Sequence, residues 1–281
     1  MISTGQAPIQ RIQGNSSQTL TDALAVEEPL EIRAAYGPAG ARVRKSISIT
    51  MRTQGHDAEL AAGFLFTEGL IRRREDIRSI EPCGGSGNAV RVELDPELAL
   101  DLGRLERHFY TSSSCGVCGK SSVDALKTVS IFPLPPASPW LASSLVHRLP
   151  AALRRSQEVF SATGGLHASA LFSAAGQLEA IREDVGRHNA LDKLIGWALL
   201  EKRLPLAESI LLLSGRASFE MMQKAHAAGL SVVAAISAPS SLAVELAKES
   251  GQTLVGFLRK QSMNIYAGGA RIAARKAAKA R

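Results

Sequence analysis

From Val43 to Met51 apolar and polar residues alternate, with Ile47, Ile49 and Met51 on one face, which predicts a half-buried strand. Asn88 to Leu94 alternates likewise through Val90, Val92 and Leu94, and Pro29 to Tyr36 reads as another strand. Between them, the spacing of Leu60, Ala61, Phe64 and Leu65 predicts an amphipathic helix that Asp57 can cap. The second half is more regular. Ser169 to Phe172 and Leu178 to Arg182 predict a strand pair, and a helix follows with Leu191, Leu194, Ile195 and Ala198 on one face. Ser209 to Leu213 and Leu230 to Ile236 are unbroken apolar runs, as in strands covered on both faces. Each precedes a helix with a serine cap, Ser218 and Ser240, and Thr253 to Gly256 begins one more strand. Strands alternating with helices predict an α/β layer with mostly parallel strands.

This pattern divides the chain. Residues 1–20 are polar and read as a flexible lead-in. Residues 21–130 form an α+β region, in which residues 111–122, rich in Ser, Gly and Cys, read as a mobile loop followed by a short helix from Ser122. Pro133, Pro135, Pro136 and Pro139 mark residues 131–145 as a linker, since proline blocks helix and central strand alike. Residues 146–266 form the α/β domain, and residues 267–281 a basic tail. There is no internal repeat.

A chain of 281 residues that is 45% hydrophobic and 21% charged can bury a sizeable core. Its net charge is +7, but Arg271, Arg275, Lys276, Lys279 and Arg281 supply five of those charges, which leaves +2 elsewhere. With aromatics at only 5%, base-stacking platforms are scarce, so no nucleic-acid partner is expected. Apolar runs such as Ile210 to Leu213 are too short to span a bilayer, and Met1 to Gln10 lacks a secretory pattern. Three cysteines fit no disulfide framework. The expectation is a soluble cytoplasmic protein with reduced thiols.

Two of those thiols, Cys115 and Cys118, flank Gly116-Val117, with Ser112 to Ser114 before them and Gly119-Lys120 after. Three chemistries use this spacing. Structural zinc needs four ligands, and only Cys83 and six histidines remain. Thioredoxin-type exchange needs an early βαβ unit, which is absent. A sulfur-accepting thiolate suits a mobile glycine-bracketed loop, and Lys120 with a following helix start would favour the thiolate. A zinc deaminase is unlike this chain: no proline precedes either cysteine, and no His or Cys has Glu two residues on.

Arg182 to Lys193 is dense in ionisable groups where a strand hands over to a helix. Free N–H groups there suit an anion. Arg187, His188 and Lys193 could grip phosphate, with Asp184 or Asp192 left for a base edge or ribose, although a solvated helix start with ordinary i,i+4 pairs fits the same residues. Ser214-Gly215-Arg216 and Ala238 to Ser241 are two more polar junctions after buried strands, where open α/β sheets collect ligands. Arg259 and Lys260, after the last strand, could complete the wall of an anionic-ligand pocket. No Walker loop or dinucleotide fingerprint is present. His167, after Gly164-Gly165, reads as structural more readily than functional, and His56, His108, His147 and His226 belong to no constellation.

Ser113 to Lys120, Thr163 to Ala168, Glu183 to Lys193, Ser214 to Arg216 and Phe257 to Tyr266 together make the sequence resemble the formate dehydrogenase accessory sulfurtransferases. The resemblance spans about Pro29 to Tyr266. It implies a homodimeric protein that takes sulfur from a cysteine desulfurase and hands it to the molybdenum bis-molybdopterin guanine dinucleotide cofactor before insertion into formate dehydrogenase. Cys115 would carry the persulfide, Cys118 would support it in a role left open, and the cofactor stretch maps onto Phe257, Leu258, Arg259, Lys260, Gln261 and Ser262. The second half would adopt a three-layer α/β/α fold like that of cytidine deaminase. No resident metal is implied. The rival readings are a cofactor chaperone with dispensable cysteines, and a zinc-dependent hydrolase.

Overall fold

A computed structural model describes residues 4–85, 87–100 and 130–273. The chain opens with β1 (Thr4–Gln13) and β2 (Ser16–Ala25), paired antiparallel in a hairpin. The expected lead-in is therefore ordered β structure. Its Gln, Ser and Thr side chains gave no apolar alternation, but Gly14-Asn15 is a hairpin-turn signal, and Gly14 takes φ 59°.

β3 (Glu28–Tyr36), β4 (Val43–Arg52), α1 (Asp57–Thr67), β5 (Ile77–Pro82) and β6 (Ala89–Leu94) follow. The four strands form one sheet in the order β4-β3-β6-β5. α1 begins at Asp57, whose carboxylate accepts from Arg52 Nε at 2.9 Å instead of capping the helix. Then come β7 (Leu141–Ala142), α2 (Ser143–Val146), α3 (Leu149–Ser156), α4 (Glu158–Thr163), β8 (His167–Phe172), β9 (Leu178–Asp184), α5 (Arg187–Leu200), β10 (Ile210–Leu213), α6 (Phe219–Ala227), β11 (Val232–Ala235), α7 (Ser241–Ser250), β12 (Thr253–Gly256), β13 (Asn264–Ala267) and β14 (Ile272–Ala273). β7 and β14 pair in parallel.

The main sheet has the order β13-β12-β11-β10-β8-β9. Only β10/β11 and β11/β12 are parallel; the pairs β8/β9, β8/β10 and β12/β13 are antiparallel. The expectation of mostly parallel strands is thus corrected to a parallel centre with antiparallel flanks. Each parallel pair is joined through a crossover helix, α6 or α7, as parallel pairing demands. The flanking strands return by short turns, which periodicity does not report.

Both faces of this sheet are covered. Leu211, Leu213, Val233 and Ala235 face α5, α6 and α7, while Ile210, Leu212, Val232 and Ala234 face α2, α3 and β7. That two-sided burial is why the strands read as unbroken apolar runs. The core does not stop at the Pro-rich stretch. Leu30, Ile32, Leu60 and Val92 share one cluster with Leu191, Leu194 and Leu213. α1 crosses α5 at two glycines: a Cβ on Gly63 would lie 1.8 Å from the Asp192 carbonyl oxygen, and one on Gly196 1.8 Å from that of Glu59.

The expected basic tail is also corrected. Ala267 closes β13, and Arg271 is 1% exposed, with its guanidinium donating to the carbonyls of Gly251 at 2.7 Å and Pro135 at 2.6 Å. Its charge belongs to the interior. Residues 274–281 lie outside the described residues.

Candidate functional site

The three junctions after β10, β11 and β12 lie side by side at the carboxyl ends of the parallel strands and are stitched together by backbone. Ser237 N donates to Gly215 O at 3.2 Å, Ala217 N to Ala238 O at 3.2 Å, Ser240 N to Ala217 O at 3.0 Å and Phe257 N to Ser237 O at 3.1 Å. Of the caps read from sequence, Ser240 accepts from Ala243 N at 3.3 Å, whereas the Ser218 hydroxyl makes no cap bond.

Along the stretch expected to hold a cofactor, Phe257, Arg259, Lys260, Gln261 and Ser262 are exposed. Phe257 takes φ 51°, a left-handed conformation that costs a bulky residue on the order of 1–3 kcal/mol and recurs at functional sites. Leu258 is corrected: it is fully buried in the second core and anchors the loop instead of touching a ligand. The Arg259 guanidinium donates to the carbonyls of Ile236 and Leu258, which fixes it across the ends of β11 and β12.

Ser214 is spent on structure. Its Oγ accepts from Ala168 N at 2.8 Å and its N donates to Ala168 O at 3.0 Å. Gly215 leaves room for the His167 ring, since a Cβ there would lie 3.2 Å from Nδ1. Burial, then the nearby Arg187, His188 and Arg216, push the His167 pKa down. His167 is therefore neutral at pH 7 in an electropositive corner.

A cavity of about 520 Å³ opens here, lined by Leu153, Arg154, Gln157, Phe160, His167 and Ser214 among others. Its size suits a small-molecule site. Ile236 is also in its wall, which brings it against the Arg259 loop.

Asp184 and Lys193, expected to meet phosphate or ribose, are corrected too. They are 0% and 1% exposed and paired at 2.7 Å between Oδ2 and Nζ. Asp184 also accepts from Gly186 N at 2.8 Å and Thr53 N at 3.2 Å, and Lys193 donates to Thr53 O at 2.8 Å. Asn189 adds a bond to Met51 O at 2.8 Å. This cluster latches α5 onto the end of β4. Spacing alone did not separate a buried ion pair from a phosphate grip. Replacing Lys193 by methionine leaves Asp184 uncompensated, and urea unfolding is expected to show a loss of about 3–5 kcal/mol; an unchanged midpoint would refute the latch.

Arg187 and His188 are half-buried and line a second cavity, about 770 Å³, between β4, α1, α5 and α6. His188 Nε2 lies 2.7 Å from Glu220 Oε2, and this contact holds the Glu220 carboxyl below the usual range. Lys224, at the cavity wall, bonds Thr67 Oγ1 at 2.8 Å, Glu68 Oε1 at 3.0 Å and Asp192 Oδ2 at 3.0 Å. Burial opposes its charge, but the two carboxylates prevail and keep it protonated. The sequence reading missed this cluster and the Arg154–Gln157–Phe160 wall. Thr67 and Asp192 are 125 residues apart, a distance at which no motif operates.

Cys115, Cys118 and Lys120 lie outside the described residues. Cys83 is half-buried after β5, its N–H on Ala89 O at 2.8 Å. Among the described residues no helix is long and apolar enough to cross a membrane, and no group of three His, Cys, Asp or Glu could hold a metal ion.

A family model described as the FdhD/NarQ family matches residues 25–273, from the end of β2 to the end of β14. The chain belongs to the FdhD/NarQ family. As a member it is 53% identical over 272 residues to the sulfur carrier protein FdhD of Mycolicibacterium paratuberculosis, covering 94% of this chain and 96% of that one. The protein of the same name from Streptomyces coelicolor is 50% identical over 282 residues, 98% of this chain and 97% of the relative. The FdhD/NarQ fold is matched by a crystal structure of a putative formate dehydrogenase accessory protein from Desulfotalea psychrophila, with TM-score 0.74 and 24% identity, covering 96% and 99% of the two chains. Most of the hairpin precedes the family match, whereas Cys115, Cys118 and all three strand-end junctions fall within it.

Proposed function

We propose that this chain is a sulfur carrier that serves formate dehydrogenase, with Cys115 as the carrying thiol. The observation that carries the reading is near-full-length similarity to proteins named as sulfur carriers, in a chain that places Cys115-Gly116-Val117-Cys118 in a polar segment. The Cys115 thiolate attacks the outer sulfur of a cysteine desulfurase persulfide. One S–S bond forms as another breaks, the donor leaves as its thiolate, and Cys115 becomes a persulfide. The outer sulfur would then pass to the molybdenum of a bis-molybdopterin guanine dinucleotide, the cargo bound for formate dehydrogenase: the S–S bond breaks, Cys115 leaves as its thiolate, and the cargo's metal supplies the two electrons that convert the transferred sulfur to sulfide.

The strand-end cavity is the place for the nucleotide end of that cargo. His167 and Ser214 line it, Ile236 in its wall accepts a hydrogen bond from Arg259, and Arg187 and Arg216 near His167 make that corner electropositive, while Phe257, Lys260, Gln261 and Ser262 are exposed on the loop that carries Arg259. Binding the nucleotide there anchors the cargo away from the reacting sulfur. In this reading the protein works as a homodimer in the reducing cytoplasm, its second half a cytidine-deaminase-like layer turned to cargo binding.

Intact-mass spectrometry after incubation with a cysteine desulfurase and cysteine tests the reading. One added sulfur, about 32 Da and mapped to Cys115, is expected. Absence of that adduct under conditions that load a known acceptor would remove the carrier role.

A further inference from the structure

Gln157 occupies the break between α3 and α4, with φ −86° and ψ 85°. It is 5% exposed, and its carboxamide Nε2 is buried without a hydrogen-bond partner. Such groups are rare in native proteins, because an unpaired buried donor is destabilising. The neighbouring donors are satisfied: Val159 N and Phe160 N both reach the Glu183 carboxylate, at 3.1 and 3.0 Å. The orphan therefore stands out in a well-bonded setting, and Gln157 is one of the residues that line the strand-end cavity.

Two further observations concern the same wall. The Arg154 guanidinium lies 4.4 Å from the centroid of the Phe160 ring, and both residues line the cavity. A guanidinium stacked on an aromatic ring offers a planar heterocycle a flat, polarisable partner. His167 and Ser214 line the same cavity, and Arg187 and Arg216 lie near His167. A flat wall, an unused N–H donor and a positive end suit a planar ring with a carbonyl on its edge and a phosphate beyond.

We infer that Gln157 is a specificity-determining residue, its carboxamide N–H donating to the ring carbonyl of a 2-amino-4-oxopyrimidine edge stacked against Arg154 and Phe160. Guanine and pterin share that edge, whereas adenine presents an amino donor in its place. The inference rests on the reading that this cavity holds the nucleotide-bearing cargo, and it names the residue that selects the ring.

Calorimetric titration of the full-length protein with GDP, ADP and 6-hydroxymethylpterin tests it, alongside Gln157→Met and Arg259→Ala. The wild type is expected to prefer GDP or the pterin to ADP, and the tighter of the two tells which end of the cargo the wall receives. Gln157→Met is expected to lose about tenfold in affinity for that ligand, the worth of one hydrogen bond, and to lose its preference over ADP. Its thermal midpoint is expected to hold or rise, because the substitution removes a buried unpaired donor. Unchanged affinity and preference in Gln157→Met would overturn the inference, as would a lowered midpoint with affinity intact. If Arg259→Ala loses GDP while Gln157→Met keeps it, the cargo site stands and the role of Gln157 falls. If the wild type binds none of the three ligands, both fall.

Discussion

Cys115→Ala, supplied to cells that lack the wild-type protein, leaves formate dehydrogenase activity at background, a drop of roughly 100-fold or more. The size follows from the chemistry. An alanine has no lone pair to accept the outer sulfur, and loss of a covalent nucleophile is not made good by the residues that support it. A chaperone with dispensable cysteines predicts the opposite, since its cargo site at the strand ends is untouched. Restoration of activity by Cys115→Ala to more than about half the wild-type level would therefore decide for the chaperone. Soluble yield and thermal midpoint of the variant, measured alongside, separate lost chemistry from lost protein.

Gly63→Ala, which adds a methyl group at the tightest helix crossing, is expected to have a large effect on stability. Alanine gains about 1 kcal/mol over glycine inside a helix. Against that, the new Cβ would sit 1.8 Å from the Asp192 carbonyl oxygen, so α1 and α5 must separate by more than 1 Å. That separation loosens the core shared by both sheets, at a cost of about 3–5 kcal/mol, above the usual range for overpacking because backbone and not a side chain must move. Set against a total stability of about 5–15 kcal/mol, the clash wins. Urea midpoints measure it. Gly40→Ala is the control, since nothing lies within 4 Å of its Cβ position and its backbone is not left-handed; it is expected to stay within about 0.5 kcal/mol of wild type. Equal midpoints for the two variants would mean that the helices do not cross this closely.

The sequence disclosed what depends on local period. β6 and α5 were legible because Val90, Val92, Leu191 and Leu194 repeat at the spacing of the face they bury, whereas β4 was legible as a strand but not in its face, since of Ile47, Ile49 and Met51 only Ile47 is buried. β10 and β11 were legible because sheets covered on both sides leave no polar alternation. Strand direction was not, as the β8–β9 and β12–β13 hairpins look the same in either orientation. β1 and β2 went unread because their side chains are polar, although Gly14-Asn15 carried the turn signal. At the site, the junctions after β10 and β11 were legible from their glycine and serines, and the one after β12 from Arg259 and Lys260. The division of labour among the charged residues was not. Asp184 and Lys193 share a stretch with Arg187 and His188, yet the first two are sealed inside against Thr53 and the others open on a cavity. Gln157 carried no motif at all, and only its burial without a partner sets it apart.

The glycine crossing also bears on how the chain comes off the ribosome. Leu60, Ala61 and Leu65 are fully covered in the finished protein, and part of that cover is α5, synthesised more than a hundred residues later. Until Gly196 has emerged, α1 has only the first sheet to lie against, and the side that α5 covers is left open to water. Apolar surface exposed in that interval is an aggregation hazard, and a pause in translation between Thr67 and Leu200 is expected to lengthen it.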